Sequence, residues 1–240
     1  MTPSAAQLYE VTEATWPPAA RIERGPWVLR DGQGGGKRVS AATALGPVRP
    51  EDIAEAEAGM AALGQDALFM IRAGDEALDA MLADAGYGVI DPVILYTLPI
   101  ERLTDVPIPR VTAFEIWEPL AIMREIWAAG GIGPARLEVM ARARVKTAIF
   151  SRWDEKPAGV AFAALHDGIC MVHAVEVPPH QRRKGVAQWI MRRAAFWGQA
   201  RGASHLAVLC VEQNVAANAL YRALGFAEAG RYHYRIKSKD

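Results

Sequence analysis

The sequence is short of cysteine, has no long apolar run and carries no net charge. Its two cysteines, Cys170 and Cys210, cannot form a disulfide framework and supply no cluster of metal ligands. The 27 basic and 27 acidic residues balance, so nucleic acid is not an expected partner. No apolar run reaches the roughly 18 residues of a membrane span, and the first residues lack the pattern of a secretory signal. We therefore expect a cytoplasmic protein with no metal and no membrane partner.

Hydrophobic residues make up 51% of the 240 positions, which is enough for a sizeable packed core. The charge is divided unevenly, because residues 1–108 carry 8 basic and 16 acidic side chains whereas residues 109–240 carry 19 and 11. An anionic ligand of the basic half would explain this division, and so would attraction between two halves. Thr104–Pro109, with its two prolines, is the best candidate for a linker. The sequence thus predicts one domain over 1–108 and another over 109–240.

In the second half, hydrophobic periodicity indicates both strands and helices. Three antiparallel strands with tight turns are predicted over Lys146–Trp153, Gly159–Leu165 and Ile169–Val177. An amphipathic helix follows from about Gly185 to Arg201.

In the first half, strand-like segments at Trp27–Arg30 and Lys37–Leu45 flank the glycine-rich segment Asp31–Gly36. A glycine cluster can form a phosphate-binding loop, but only where a helix start aims free N–H groups at the anion. No helix pattern follows this cluster, so a flexible hairpin connection is favoured.

The chain also contains an internal repeat at a shift of 139 residues. Phe69–Ile71 falls on Val208–Cys210, and Gly86–Tyr87 falls on Gly225–Phe226. The shared unit is a strand, a helix, a glycine followed by an aromatic residue, and a second strand. One such match arises easily by chance because many helices end in glycine, but the register persists as far as Leu95 and Tyr234. A duplicated half-domain is therefore favoured.

A short basic turn joins the strand Ile169–Val177 to the amphipathic helix, with the sequence Val175-Glu-Val-Pro-Pro-His-Gln-Arg-Arg-Lys-Gly-Val-Ala-Gln188. At a helix start the backbone N–H groups have no intrahelical partner, and the helix dipole adds positive potential. Gly185 and Ala187 keep the turn free of bulky side chains, so a large anion can reach the backbone. The turn fits a diphosphate ligand, although by itself it also fits an ordinary strand–helix connection.

Two motifs taken together are more specific than the basic turn alone. Arg182-Arg-Lys-Gly-Val-Ala187 has the pattern (Gln/Arg)-x-x-Gly-x-(Gly/Ala), and Asn214–Phe226 has the pattern Asn-x-x-Ala-x-x-Leu-Tyr-x-x-Leu-Gly-Phe. In this combination the chain resembles the GNAT superfamily of acyl-CoA N-acyltransferases over roughly residues 110–237. The resemblance implies an α+β fold with a mixed, mostly antiparallel sheet flanked by helices. Residues 27–99 look like a degenerate second copy, which implies two tandem units.

The same resemblance implies acetyl-CoA as co-substrate. The backbone of Val175 and Val177 would contact the pantetheine arm, and Asn214 would hydrogen-bond that arm or the adjacent backbone. Tyr221 stands where many members of the superfamily place a tyrosine near the thioester sulfur. The residues implied for the pyrophosphate are those of the basic turn: Arg182, Arg183, Lys184, Gly185, Val186, Ala187 and Gln188.

The general base is left open by the sequence. His173 is one candidate, because a neutral imidazole accepts a proton near pH 7 and some arylalkylamine acetyltransferases carry a histidine at this position. Glu176 is another, but in an ideal strand it lies on the opposite face from His173, so a β-bulge must re-aim it. Met171 occupies the position of the glutamate base of histone-type members. A water chain is the third candidate.

The resulting hypothesis is an N-acetyltransferase that moves the acetyl group of acetyl-CoA to a primary amine by direct attack, with Tyr221 protonating the departing thiolate. The alternative is a non-catalytic acyl-CoA-binding or scaffolding module. The acceptor would be a small-molecule or peptide amine. Cys210 is interpreted as a core residue. Candidates for the wall of an acceptor pocket are Trp117, Trp127, Trp153 and the segment Asp31–Gly36.

The first half is not expected to bind acyl-CoA. Its corresponding turn, Leu45–Pro50, contains two prolines, and proline has no N–H to offer a phosphate. Leu82 occupies the position that corresponds to Tyr221. We expect this half to cover a sheet edge of the second half and to shape one wall of the acceptor cleft.

Overall fold

The computed structural model describes residues 2–237, which form seven α-helices and eleven β-strands. The helices are α1 (Ala5–Thr15), α2 (Asp52–Ala62), α3 (Glu76–Asp84), α4 (Ala121–Ala129), α5 (Pro134–Arg142), α6 (Val186–Gln199) and α7 (Val215–Ala223). The strands are β1 (Ala20–Arg24), β2 (Trp27–Asp31), β3 (Thr43–Ala44), β4 (Leu68–Arg72), β5 (Tyr87–Pro99), β6 (Ala113–Ile116), β7 (Val145–Trp153), β8 (Lys156–His166), β9 (Ile169–Glu176), β10 (His205–Val211) and β11 (Ala227–Lys237).

Eight strands form one sheet in the order β4-β11-β5-β10-β9-β8-β7-β6. Neighbouring strands are antiparallel except β9 and β10, which are parallel. Strands β1 to β3 form a small antiparallel sheet, which a bridge between Ala42 and Phe69 links to β4. Helices cover both faces of the large sheet. The prediction of an α+β fold with a mixed, mostly antiparallel sheet flanked by helices is confirmed.

The two halves of the sequence contribute alternating strands to one side of this sheet. Strand β5 lies between β10 and β11, and β11 lies between β4 and β5. In the β10–β5 pair, Val208 lies opposite Tyr96; in the β11–β4 pair, Arg235 lies opposite Phe69. Phe69 and Val208 are related by the 139-residue shift of the sequence repeat, and so are Tyr96 and Arg235. The two strand pairs therefore have the same register. The first half supplies the second strand of the repeat unit to the β10–β5 pair and the first strand of the unit to the β11–β4 pair.

The core lies on both faces of the large sheet. On one face α6 packs its buried stripe, which includes Ile190, Ala194 and Trp197, against β7, β8 and β9. On the other face α1 and α4 pack against β8 and β9, with Trp16 and Trp127 buried there. Each buried aliphatic or aromatic side chain stabilises the fold by roughly 1.5–3 kcal/mol relative to its exposed state. Strand β9 is thus fixed from both sides.

Two parts of the first half differ from the sequence-based prediction. The strand expected over Lys37–Leu45 is a 3₁₀ turn at Lys37–Val39 followed by the short strand β3. Strand β1 was not anticipated, because all five of its residues are exposed and no apolar alternation marks it. The glycine-rich segment Asp31–Gly36 runs from β2 into the 3₁₀ turn, and β2 pairs with β3, so it does connect two antiparallel strands.

No helix within residues 2–237 combines the length and apolar character that crossing a membrane requires. The same residues contain no group of three His, Cys, Asp or Glu side chains placed to hold a metal ion.

Candidate active site

A cleft opens where the two parallel strands of the sheet separate. Strands β9 and β10 pair only from Ile169 to Val172 and from His205 to Val208, and beyond these residues they diverge. The cleft has a volume of about 780 Å³ and is bounded by the ends of β9 and β10 and the starts of α6 and α7. A gap in a parallel sheet leaves backbone groups of both strands without a ladder partner, so the cleft walls can bind a ligand through the main chain.

Twelve of the thirteen site residues suggested by the sequence line this cleft: His173, Val175, Glu176, Val177, Arg182, Arg183, Gly185, Val186, Ala187, Gln188, Asn214 and Tyr221. Lys184 is the exception. It is exposed, and its Nζ donates to Oε1 of Gln181 at 3.1 Å. The roles of these residues stay predictions, but the structure brings all twelve to one cavity.

A β-bulge in β9 places His173 and Glu176 on the same face of the sheet. His173 pairs with Phe162 and Glu176 with Val160, so three steps along β9 correspond to two along β8. Ala174 has a φ of 51° at the bulge, and its carbonyl accepts a hydrogen bond of 2.8 Å from Nε1 of Trp127. The bulge turns the Glu176 side chain toward the face that carries His173, as a catalytic role for Glu176 requires.

The Glu176 carboxylate lies in a confined position beside Gly130. A Cβ atom built at Gly130 would be 2.5 Å from the carboxyl carbon, so any larger residue there would displace the side chain. Nη2 of Arg182 lies 3.7 Å from Oε1. Burial raises the pKa of Glu176 above its usual range, and this effect exceeds the lowering by Arg182. Its carboxylate is therefore a stronger base than that of an exposed glutamate.

Both ring nitrogens of His173 are occupied. Nη1 of Arg38 lies 3.1 Å from Nδ1, and because a guanidinium can only donate, Nδ1 accepts. Nε2 then carries the proton and donates to Oγ1 of Thr15 at 2.9 Å, and that hydroxyl donates to the carbonyl of Val11. Burial and the neighbouring Arg38 hold the pKa of His173 well below its usual value. In this arrangement the imidazole has no free lone pair for a substrate proton.

Tyr221 reaches the cleft from α7 and is 6% exposed. Its ring lies against those of Tyr96 and Phe226, with centroid distances of 5.9 and 5.7 Å. Burial raises the pKa of its phenol, and Cys210 adds a smaller effect in the same direction. The phenol therefore stays protonated throughout the neutral pH range and can act as a proton donor.

The turn before α6 presents consecutive unpaired N–H groups. Among the hydrogen bonds of residues 2–237, none has a backbone N–H from Arg183 to Gln188 as its donor, whereas the N–H of Trp189 bonds the carbonyl of Gly185. Arg183 and Gly185 have φ values of 64° and 78°, a left-handed backbone that turns successive N–H groups toward the same side. The turn therefore has the free N–H groups and the backbone geometry that suit an anion at this end of the cleft.

Asn214 caps the helix α7 on the other side of the cleft. Its Oδ1 accepts a hydrogen bond from the N–H of Ala217 at 3.1 Å. Asn218, which the sequence-based reasoning missed, is buried and supports the same segment. Its Nδ2 donates to the carbonyls of Val211, Glu212 and Asn214. An asparagine within a helix pattern is the one signal that could have identified it, since asparagine disfavours helix interiors.

Arg38 is a further residue of the site that the sequence did not reveal. It lines the cleft from the first half of the chain and contacts His173. The only sequence signal for Arg38 is its position just after a glycine cluster, as a basic residue in a half of the chain whose net charge is negative. Cys210 is 5% exposed, as expected for a core residue, but it also lines the cleft, and burial raises the pKa of its thiol to about 11.

The proposed acceptor-pocket residues separate into two groups. Gly35 and Gly36 border a smaller cavity of about 260 Å³ that shares His173 and Ala174 with the cleft. The three tryptophans lie outside both cavities. Trp127 is fully buried beneath the bulge, and Trp117 and Trp153 are partly exposed elsewhere on the surface.

The second half of the chain is similar to known acetyltransferases. Residues 120–226 match the model of the acetyltransferase (GNAT) family. The chain is 25% identical over 241 residues to the uncharacterized N-acetyltransferase YobR of Bacillus subtilis (strain 168), covering 96% of this chain and 98% of that protein.

Two solved structures share the fold at low sequence identity. A GCN5-related N-acetyltransferase from Kribbella flavida superposes with a TM-score of 0.69 at 19% identity, over 98% of this chain and 96% of that one. A tandem GNAT protein from the clavulanic acid biosynthesis pathway superposes with a TM-score of 0.62 at 15% identity, over 98% and 89%. The fold of this chain is GNAT-like.

Proposed function

We propose that the protein is an N-acetyltransferase that transfers the acetyl group of acetyl-CoA to a primary amine. The observation that carries the proposal is the run of unpaired N–H groups from Arg183 to Gln188 at the mouth of the cleft. Such a run is suited to a diphosphate, and the family of the matched segment uses acyl-CoA as co-substrate. Arg182 and Arg183 add positive charge beside it.

In this proposal the coenzyme lies along the gap between the diverging strands. Its pyrophosphate is held by the turn before α6, and its pantetheine arm follows the main chain of Val175 and Val177. The thioester then lies deep in the cleft, between the bulge of β9 and Tyr221. Asn214 acts mainly by shaping the start of α7, because its Oδ1 already accepts from Ala217.

The residues at the cleft floor fit direct attack by the amine. An alkylammonium with a pKa near ~10.4 must lose a proton first, which at neutral pH requires roughly 4–5 kcal/mol. Glu176, directly or through a water, accepts that proton. The amine nitrogen then bonds the acetyl carbon, the carbon–sulfur bond breaks, and the Tyr221 hydroxyl donates its proton to the leaving thiolate. The tyrosinate regains a proton from the attacking nitrogen through solvent.

His173 fits a positioning role better than a role as the base. Its bonds to Arg38 and Thr15 connect the bulge to α1 and to the 3₁₀ turn of the first half. The imidazole therefore fixes where Arg38 lies and stiffens β9 next to Glu176.

The first half is proposed to be a second, degenerate copy of the same unit that has lost coenzyme binding. The shared register of the β10–β5 and β11–β4 pairs supports duplication. In the turn before α2, Oδ2 of Asp52 accepts from the N–H of Arg49 at 2.9 Å, so a carboxylate occupies the place that a phosphate would need. The boundary between the copies is proposed at residues 108 and 109.

Isothermal calorimetry with CoA, followed by thiol release from acetyl-CoA against a library of primary amines, tests the proposed activity. We expect saturable CoA binding and acceptor-dependent release of thiol. Absence of heat with CoA would contradict the assignment of the cleft. Binding without thiol release from any amine would favour the alternative of a non-catalytic acyl-CoA-binding module.

A further inference from the structure

The smaller cavity beside the cleft, which we call the acceptor recess, is lined by an excess of cations. Its lining includes Lys37, Arg38, Arg136 and the single acidic residue Asp91. Lys37 and Asp91 form an ion pair with 2.5 Å between Nζ and Oδ2, so their charges offset each other. Two arginines remain, and within residues 2–237 neither forms an ion pair with a carboxylate. The charged side chains that line the recess therefore leave a net positive charge, which comes from the two arginines.

Arg38 is held in a position from which it can bind an anion. Nη1 is fixed by His173, and the guanidinium lies 5.8 Å from the centroid of the Trp16 ring. Its Nε and the hydroxyl of Tyr232 are buried, and within the described residues neither forms a hydrogen bond of good geometry. Although burial lowers the pKa of Arg38, the phenols of Tyr232 and Tyr234 lie beside the guanidinium and raise this pKa above its usual value. A buried donor without a partner is unfavourable, so a ligand that accepts from it is favoured.

Arg136 closes the other side of the recess. It extends from α5, and its Nε lies 3.4 Å from the position of a Cβ atom built at Gly36, so the guanidinium lies against this glycine. Its side chain is exposed and makes no hydrogen bond or ion pair with the other residues of 2–237. The glycine-rich segment thus leaves room for an arginine that faces Arg38 from a separate element.

The recess opens directly into the proposed reaction site. His173, Ala174 and Val211 line both cavities, and Ala174 is the bulge residue two positions before Glu176. A ligand that places an anionic group between the two arginines can extend its other end toward the bulge, where the proposed reaction requires an amine. The volume of about 260 Å³ limits this ligand to a small molecule or to the end of a longer one.

We propose that the acceptor is an amine that also carries an acidic group, a carboxylate or a phosphate, and that Arg38 and Arg136 bind this group. Resting on the acetyl transfer proposed above, this inference narrows the acceptor to amino acids and related acidic amines and disfavours polyamines. Asp91 does not oppose the anion, since Lys37 neutralises it. A guanidinium donates two parallel hydrogen bonds to a carboxylate or phosphate, which gives selectivity as well as affinity.

Binding of matched amine probes tests the inference independently of turnover. We would titrate 4-aminobutyrate against 4-aminobutanamide, L-phenylalanine against L-phenylalaninamide, and 3-aminopropylphosphonate, into the protein saturated with CoA. At least one acidic probe is expected to bind about tenfold tighter than the neutral probe it is compared with. Each carboxylate is compared with its own amide, and the phosphonate is compared with both amides. If only the phosphonate binds tighter than the neutral probes, the acidic group of the acceptor is a phosphate. If the carboxylates bind tighter than their amides, the acceptor is an amino acid.

Substitutions identify the arginines as the cause. Arg136→Gln changes an exposed side chain and should reduce the preference for the acidic probe from about tenfold to about threefold, without changing thermal unfolding or CoA affinity. Arg38→Gln should abolish it, and Arg38→Lys should retain part of it. Arg144→Gln removes an exposed arginine outside the recess and should retain the full preference.

The failures of the two proposals are distinguishable. Thiol release from acetyl-CoA with equal binding of acidic and neutral probes would overturn the anion-binding recess and leave the acetyltransferase proposal intact. Acidic preference that survives in both Arg38→Gln and Arg136→Gln would also overturn it. Arginine-dependent binding of acidic probes without thiol release would support the recess and contradict acetyl transfer to those probes.

Discussion

At the scale of single residues, the site depends on how burial changes three titratable groups. Burial raises the pKa of Glu176 and of Tyr221 and lowers that of His173. The raised pKa makes Glu176 a stronger base, and the raised pKa of Tyr221 keeps its phenol protonated as a donor. The lowered pKa of His173 keeps its imidazole neutral. Each change has a consequence that kinetics or unfolding can measure.

Tyr221→Phe should lower kcat by about tenfold to a hundredfold, since the thiolate then leaves without a positioned proton donor. The CoA dissociation constant should change less than about threefold, because the ring that lines the cleft is kept. Stopped-flow thiol release and calorimetry measure the two quantities. Tyr96→Phe, the same change on the neighbouring ring, is the control and should retain kcat. An unchanged rate in Tyr221→Phe would refute its role as the acid.

Glu176→Gln should lower kcat by about a hundredfold or more and remove the acidic limb of the pH–rate profile. In the wild type a base must be deprotonated, so activity should rise with pH through a pKa above the usual glutamate value, because burial raises it. His173→Gln should keep this limb. Glu125→Gln, on the exposed side of α4, controls for loss of charge. A limb that persists in Glu176→Gln would assign the proton to a water chain.

His173 predicts a dependence of stability on pH. Its pKa is depressed in the folded state, so below about 6.5 the unfolded chain binds more protons than the folded one. The free energy of unfolding should therefore fall by up to about 1.4 kcal/mol per pH unit as the pH decreases from 6.5. Urea unfolding at pH 7.5 and 5.5 measures this, and His173→Gln should show a smaller decrease. Equal decreases in the two proteins would exclude the histidine as the source.

At the scale of elements, the turn before α6 combines a left-handed backbone with free N–H groups. Gly185→Val should weaken CoA binding by more than about tenfold, because a β-branched residue disfavours the φ of 78° by roughly 1–2 kcal/mol and its side chain enters the anion site. Gly64→Val is the matched control, with a φ of 69° and open space around it. The two variants should lose similar stability, measured by thermal unfolding, and only Gly185→Val should lose CoA affinity. Tight CoA binding by Gly185→Val would remove the turn from the site.

The elements of the second half were largely predictable from the sequence, and those of the first half less so. Helix α6 was predicted from an apolar stripe that is in fact buried, and β9 as one of three antiparallel strands joined by tight turns. Strand β1 was missed because exposed edge strands leave no hydrophobic pattern. The segment after Gly36 was predicted as a strand, but its backbone turns there to place Arg38 against His173.

The candidate site was predictable where it depends on local motifs and not where it depends on contacts between distant segments. The bulge at Ala174 was required for Glu176 and is present. The occupation of both His173 nitrogens could not be predicted, because Thr15 and Arg38 lie more than a hundred positions away in the sequence. The same applies to the acceptor recess, which forms between α5 and the glycine-rich segment.

At the scale of the whole molecule, neither half completes a sheet by itself. Residues 109–240 alone should lack a cooperative unfolding transition and bind no CoA, because β10 and β11 lose the strand between them. The buried side chains of β5, among them Ile94, Leu95 and Tyr96, stabilise by roughly 1.5–3 kcal/mol each, comparable in sum with the whole stability of a typical domain. Circular dichroism and calorimetry measure both properties. Co-expression with residues 1–108 should restore them, and a full chain cleaved within Thr104–Pro109 should keep them. A folded, CoA-binding 109–240 fragment would contradict the structural role of β5.

The alternation of strands from the two halves also affects how the chain folds during synthesis. During translation β4 and β5 leave the ribosome long before β11, which lies between them in the finished sheet. Until β11 arrives, the facing edges of both strands stay unpaired and open to wrong partners, including the same strands of a neighbouring nascent chain. Rapid synthesis at high concentration therefore favours intertwined dimers, in which β11 of one molecule enters the gap of another. Slower expression at lower temperature is the condition under which each chain closes its own sheet.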